Sequence, residues 1–209
     1  MDCEQMIQTG RQFYKELAEN NTKDWWSENR ATYDDVLKPG ALALLQELKP
    51  AVSDLAETEV STKLFRPHRD VRFSKDKTPY KPHLHILWQT PGGPAWFFGM
   101  SHEYLTVGGG VMSFEKPALD NWRKFVDLDA DRVAGIFAAL TAKGFVLREP
   151  ALKRVPSPYP ADHPNADHLR RKACVATRPI SGQPLTDAIL SGFRDLKPMN
   201  DLLTQVIEA

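Results

Sequence analysis

Between Arg69 and Lys81 the chain reads Arg69-Asp70-Val71-Arg72-Phe73-Ser74-Lys75-Asp76-Lys77-Thr78-Pro79-Tyr80-Lys81, five cations and two carboxylates among a few aromatics. The whole chain of 209 residues carries no net charge. Like charges held this close repel unless they pair with carboxylates, reach water or await an anion, and the last of these makes a binding site. Arginines offer planar forks to phosphate or carboxylate, and lysines add point charges. Arg69, Arg72, Lys75, Lys77 and Lys81 are therefore candidate ligand residues, with Tyr80 a hydrogen-bond donor among them. Adding Lys63 and Arg66 gives seven cations against two acids, a local charge of +5, whereas residues 1–60 hold six cations against twelve acids. In the competing reading Asp70 and Asp76 pair with neighbours and the N-terminal carboxylates neutralise the rest. The signature is then a structural salt-bridge lattice in a non-catalytic interaction module.

Residues 148–172 form a second basic segment of net charge +3, in which Lys153 and Arg154 join the ligand candidates. Whether it meets the first is open at this level. The leading expectation is recognition of a small anionic ligand bearing phosphate or carboxylate. Nucleic acid ranks lower, because the chain is neutral overall and its acidic N-terminal third repels phosphates unless it faces away. Catalysis on such a ligand would draw on Asp70 or His163 to move protons, but no nucleophile–base pair is visible, and the cofactor is left open. His83 and His85 alternate along one strand face, as a metal site requires, yet further ligands would have to come from His102, Glu103 or His163 against nearby cations, so the expectation is no metal. Gly108-Gly109-Gly110 is not followed by a helix start, which argues against a phosphate-cradling loop and for a flexible or bulged strand. Cys3 and Cys174 form neither a disulfide framework nor a zinc site, and a reducing cytoplasm suits them.

The thirteen-residue signature resembles that of an uncharacterised family catalogued as domain of unknown function 2461. Asn20-Asn21 with Trp25-Trp26, Asn29-Arg30 and Tyr33 is similar to that family's N-terminal pattern, and Gly108-Gly109-Gly110 to its central glycines. Leu152-Lys153-Arg154-Val155-Pro156, Asp162-His163-Pro164 and Leu169-Arg170-Arg171-Lys172 are similar to its C-terminal pattern. The chain departs from it at Pro158, before Tyr159, and at His83 and His85. The resemblance carries no activity; it implies that the two basic segments belong to one fold. It also places His163 as an acid–base candidate, against the plainer reading of a turn fixed by Asp162 and Pro164.

The elements that must position these residues follow from periodicity. Met6, Gly10, Phe13 and Leu17 fall at helical spacing, and Leu42, Leu45, Leu48, Val52 and Leu55 form a second stripe across Pro50, where the helix could break. Asp24 is a cap candidate before Trp25-Trp26, of which one indole is expected in the core and the other part-exposed. Period-two runs at residues 60–65, 80–89, 95–101 and 104–112 predict antiparallel strands, with short strands near 145–147 and 173–178. In the second run Tyr80, Leu84, Ile86 and Trp88 share the core face, and Lys81, His83 and His85 the other. Pro117 opens a helix, Asp129 caps the next, and two more helices, around Leu185–Leu196 and Leu202–Val206, end the chain. The expected fold is α+β, an antiparallel sheet with helices mainly on one face, in a single domain over residues 1–209. The longest aliphatic run, residues 41–45, is far too short for a bilayer, and the acidic start, Met1 to Gln5, has no apolar leader segment, so the expectation is a soluble cytoplasmic protein. The oligomeric state is left open.

Overall fold

Six strands form one antiparallel sheet in the computed structural model, which describes residues 3–182 and 184–209. Met1 and Asp2, at the head of the acidic start, and Gln183 lie outside the described residues. The strands are β1 (Ser61–Leu64), β2 (His83–Gln89), β3 (Ala95–Ser101), β4 (Leu105–Val111), β5 (Val146–Leu147) and β6 (Cys174–Pro179), in the order β1-β2-β3-β4-β6-β5. Period two places Leu84, Ile86 and Trp88 on one face of β2, all buried, in register with Met100, Phe98 and Trp96 of β3. That face carries the core, so the fold is α+β with the helices on it.

The covering helices are α1 (Cys3–Glu19), α2 (Lys23–Thr32), α3 (Lys38–Ala56), α4 (Lys116–Leu128), α5 (Ala130–Ala142), α6 (Ala166–Leu169) and α7 (Leu185–Glu208). A π-helical turn, Tyr33–Leu37, joins α2 directly to α3. Two indoles lock the layers together: Trp88 Nε1 donates to the Leu45 carbonyl of α3 at 3.0 Å, and Trp96 Nε1 to the Phe193 carbonyl of α7 at 3.2 Å. Each buried N–H thereby keeps a partner while its ring fills the core.

Several local expectations are corrected. Both α3 and α7 run unbroken through their prolines, Pro50 and Pro198. Each proline removes one N–H bond, but buried residues stand on both sides, Leu48 and Val52 in α3 and Leu196, Met199 and Leu202 in α7, and that packing holds one helix where the sequence suggests two. Helix α2 is capped by Thr22, whose oxygen accepts from the Trp25 N–H at 3.2 Å, not by Asp24, and Asp129 makes no capping bond at the start of α5. The triple glycine is not bulged: Gly108, Gly109 and Gly110 pair in register with β3 and β6 on either side. Trp26 is buried and Trp25 part-buried, the division expected of the pair.

Candidate functional site

The signature begins as a continuation of the β1–β2 hairpin. Phe65 N–H donates to the His85 carbonyl at 3.0 Å, Lys81 N–H to Pro67 at 2.8 Å, and Arg69 N–H to Pro79 at 2.8 Å, while His68 and Tyr80 form a bridge. Regular pairing of β2 therefore starts at His83 rather than at Tyr80. This stem is braced against α2 by neutral groups. The Asn21 amide donates to the Tyr80 carbonyl at 2.9 Å and accepts from the Tyr80 N–H at 3.0 Å, and Trp26 stacks on the Tyr80 ring with centroids 4.3 Å apart. Tyr80 is only 5% exposed, so this candidate ligand residue is a core residue instead.

Beyond the stem the tip pairs with itself. Arg72 grips Asp70 through two bonds, Nε to Oδ1 at 3.0 Å and Nη2 to Oδ2 at 2.7 Å. Asp76 accepts from the Thr78 backbone and hydroxyl and from Arg69. These bonds hold the Asp76 carboxyl down to about 2, the Thr78 amide contributing most. The Arg72 fork likewise lowers Asp70, which stays a carboxylate with no proton to give. Lys77 donates to the Val71 carbonyl at 3.0 Å, and Phe73 stands 96% exposed at the apex. Among the described residues no N-terminal carboxylate pairs with a signature cation: Asp34 takes Arg30, Glu59 takes Lys49 and Glu57 takes Lys197. In place of the lattice that the competing reading drew to the N-terminal helices, there are local pairs and an aromatic brace.

Lys63, Arg66, Lys75 and Lys81 make no ion pair among the described residues. Three of them gather near Phe65: the Lys63 and Lys81 ammonium groups lie 5.0 and 5.9 Å from its ring centre, with Arg66 next in the chain. Burial, and then repulsion from Arg66, Arg69 and Lys63, pulls the Lys81 ammonium below its ordinary range.

These cations stand at one end of the uncovered face of the sheet. Register aligns Lys63, Leu87, Phe97, Gly108, Thr177 and Val146 in a single row across all six strands. Over this row lies a groove of about 670 Å³, walled by Phe65, Met112 and Val175 and bounded by Arg66, Lys81 and Arg148. An adjoining hollow of about 420 Å³ shares Phe65, Leu87 and Met112. Two rings of the floor fill the space over glycines of the next strand. A β-carbon at Gly108 would stand 2.0 Å from Phe97 Cε1, and one at Gly99 2.6 Å from His85 Cδ2.

His83 and His85, on the face expected for them, stack with centroids 4.1 Å apart, and His85 Nε2 is 2.9 Å from the Tyr104 hydroxyl. Burial and then the neighbouring charges lower both imidazoles, His85 to about 4, so the rings are neutral at pH 7. Burial raises the Tyr104 phenol, which keeps its proton. The pair offers a hydrogen-bonding edge beside Lys81 but no activated nucleophile. Among the described residues no three His, Cys, Asp or Glu side chains come together as a metal site needs.

The second basic segment reaches the groove only through Arg148, whose N–H is anchored on the Val175 carbonyl at 2.8 Å. Lys153 and Arg154 are exposed and do not line it. His163 is also elsewhere. Its Nδ1 accepts from the Asn165 N–H at 3.0 Å, its Nε2 lies 3.3 Å from Asp127, and its side chain is only 7% exposed, an arrangement that ties the loop to α4. Sequence reasoning missed the apolar half of the site. The signal was there in Leu87 and Phe97, large apolar residues on what alternation marks as the solvent face, with glycines opposite.

The class this geometry defines is an α+β sheet protein with helices on one face and a partly charged groove on the other. Residues 10–202 match a conserved hypothetical protein family, domain of unknown function 2461, and the chain belongs to it. Comparison with curated proteins finds no match.

Proposed function

We propose that the protein recognises a small ligand bearing phosphate or carboxylate, held at the end of the open sheet face by Lys81, Arg66 and Lys63. The observation that carries this reading is Lys81. It is fixed by its backbone bond to Pro67, part-buried, crowded by three other cations and given no carboxylate, a placement that an arriving anion would relieve. Of the signature cations, Arg69 flanks this cluster while already bound to Asp76; Arg72, Lys75 and Lys77 belong to the tip and would at most steer an anion inward. Thermal melts of wild type, Lys81→Gln and Arg66→Gln with and without phosphate and short carboxylates test the reading. Wild type should be stabilised by an anion. The variants should lose that response while their own midpoints stay unchanged or rise. Unchanged responses in both variants would overturn it.

A second reading, a non-catalytic interaction module whose signature serves architecture, is favoured by the internal Asp70–Arg72 and Asp76–Arg69 pairs. It predicts no anion response in wild type, and a lower midpoint in Arg69→Gln.

A further inference from the structure

Resting on the anion reading above, we infer that the ligand is amphipathic: its anionic head sits at Lys81 and Arg66, and an apolar body lies along the sheet over Leu87, Phe97 and Val146. A site for a bare anion needs donors and water, not an adjoining apolar trough. Here Arg66 and Lys81 occupy one end and Arg148 the opposite margin, and the floor between them carries the hydrocarbon and aromatic side chains of Leu87, Phe97 and Val146. Met112 and Val146 are 68% and 66% exposed, large apolar side chains left in water at the groove margin. Both border the groove that Arg66 and Lys81 also line. Its size, about 670 Å³, falls within the range of small-molecule sites. Phe97 and His85 reach over Gly108 and Gly99 with their rings tilted 53° to each other, an aromatic surface suited to an alkyl chain or an aromatic ring. Arg148, at the far margin, has room to meet a polar end on a longer ligand.

The test is calorimetric titration of the protein with acetate, butanoate, hexanoate and octanoate, below micelle-forming concentrations, alongside inorganic phosphate, octyl phosphate and neutral octanamide. Affinity should rise about two- to fourfold per methylene. Octanamide should bind at least about tenfold more weakly than octanoate, the difference reporting the charge contact at roughly one unit of log Kd. Met112→Ser and Val146→Ser, both at exposed side chains, should flatten the chain-length dependence without moving the melting temperature or acetate binding. Whichever of octanoate and octyl phosphate binds more tightly identifies the head group. Acetate or inorganic phosphate binding as tightly as octanoate would overturn the amphipathic ligand and leave the anion site standing. Octanamide equal to octanoate would overturn the anion site itself, and no binding by any probe would overturn both. Sedimentation velocity covers the remaining occupant: a dimer that Met112→Ser and Val146→Ser dissociate would show that a second copy fills the groove, and would also overturn the inference.

Discussion

Asn21 and Tyr80, 59 residues apart, exchange two hydrogen bonds through one amide side chain, and the clamp joins the signature to the turn between α1 and α2 without a charge. Removing the amide in Asn21→Ala strands the Tyr80 N–H and carbonyl in a part-buried place, at a cost of about 1–3 kcal/mol. Tyr80→Ala, which also empties the stack on Trp26, should cost about 3–5 kcal/mol. Urea denaturation measures both; losses well under 1 kcal/mol in each would show that the brace carries no weight.

Gly108→Ala should be among the most damaging single-methyl additions in the sheet. The new carbon would meet Phe97 Cε1 at 2.0 Å and the Ala176 carbonyl oxygen at 2.8 Å. Overpacking of this kind costs about 1–3 kcal/mol. In the double variant Phe97→Ala/Gly108→Ala the ring clash is gone and the carbonyl contact remains, so a double-mutant cycle should show partial rescue. Simple additivity would mean the ring does not rest on the glycine.

Acidification should destabilise the fold before carboxylates begin to protonate. His85 and His168 are both held down to about 4, chiefly by burial, while an unfolded chain protonates histidine near 6.5. Between these values the unfolded state binds more protons, so stability is greatest above about pH 6.5 and falls as pH drops toward 4. The slope per group is at most about 1.4 kcal/mol per pH unit. His168→Gln should lower that slope by up to half in chemical denaturation at pH 6.5, 5.5 and 4.5. A slope equal to wild type would mean His168 protonates freely in the folded protein.

Arg72→Gln and Lys75→Gln, singly and together, should move the melting temperature by less than about two degrees, because the Arg72–Asp70 pair is solvent-exposed and screened. Differential scanning calorimetry decides this. A drop of many degrees would identify the tip as a structural lattice after all.

Much of the architecture was legible because its signals are local. The alternation in β2 gave both faces correctly, since Leu84, Ile86 and Trp88 have no other way to reach a core. The helices through Pro50 and Pro198 were not legible, because what holds them is packing against partners far along the chain. The site was half legible. Cation crowding pointed to the signature, but composition alone cannot say that Asp70 and Asp76 neutralise the tip and leave Lys81 and Arg66 unpaired. Nor can it place Tyr80 beneath Trp26, or bring Arg148 to the same groove as Lys81 while sending Lys153, Arg154 and His163 elsewhere.

The narrow outer strands of the sheet have a consequence for self-association. A sheet with one bare face invites fibre growth, either by stacking or by adding strands to its rims. Here one rim is the four-residue β1, bearing Lys63, and the other is the two-residue β5, each too short to template a long incoming strand. Three positive groups at one end of the bare face further oppose the approach of an identical face. The apolar floor can therefore stay open to water without becoming a nucleus for polymerisation.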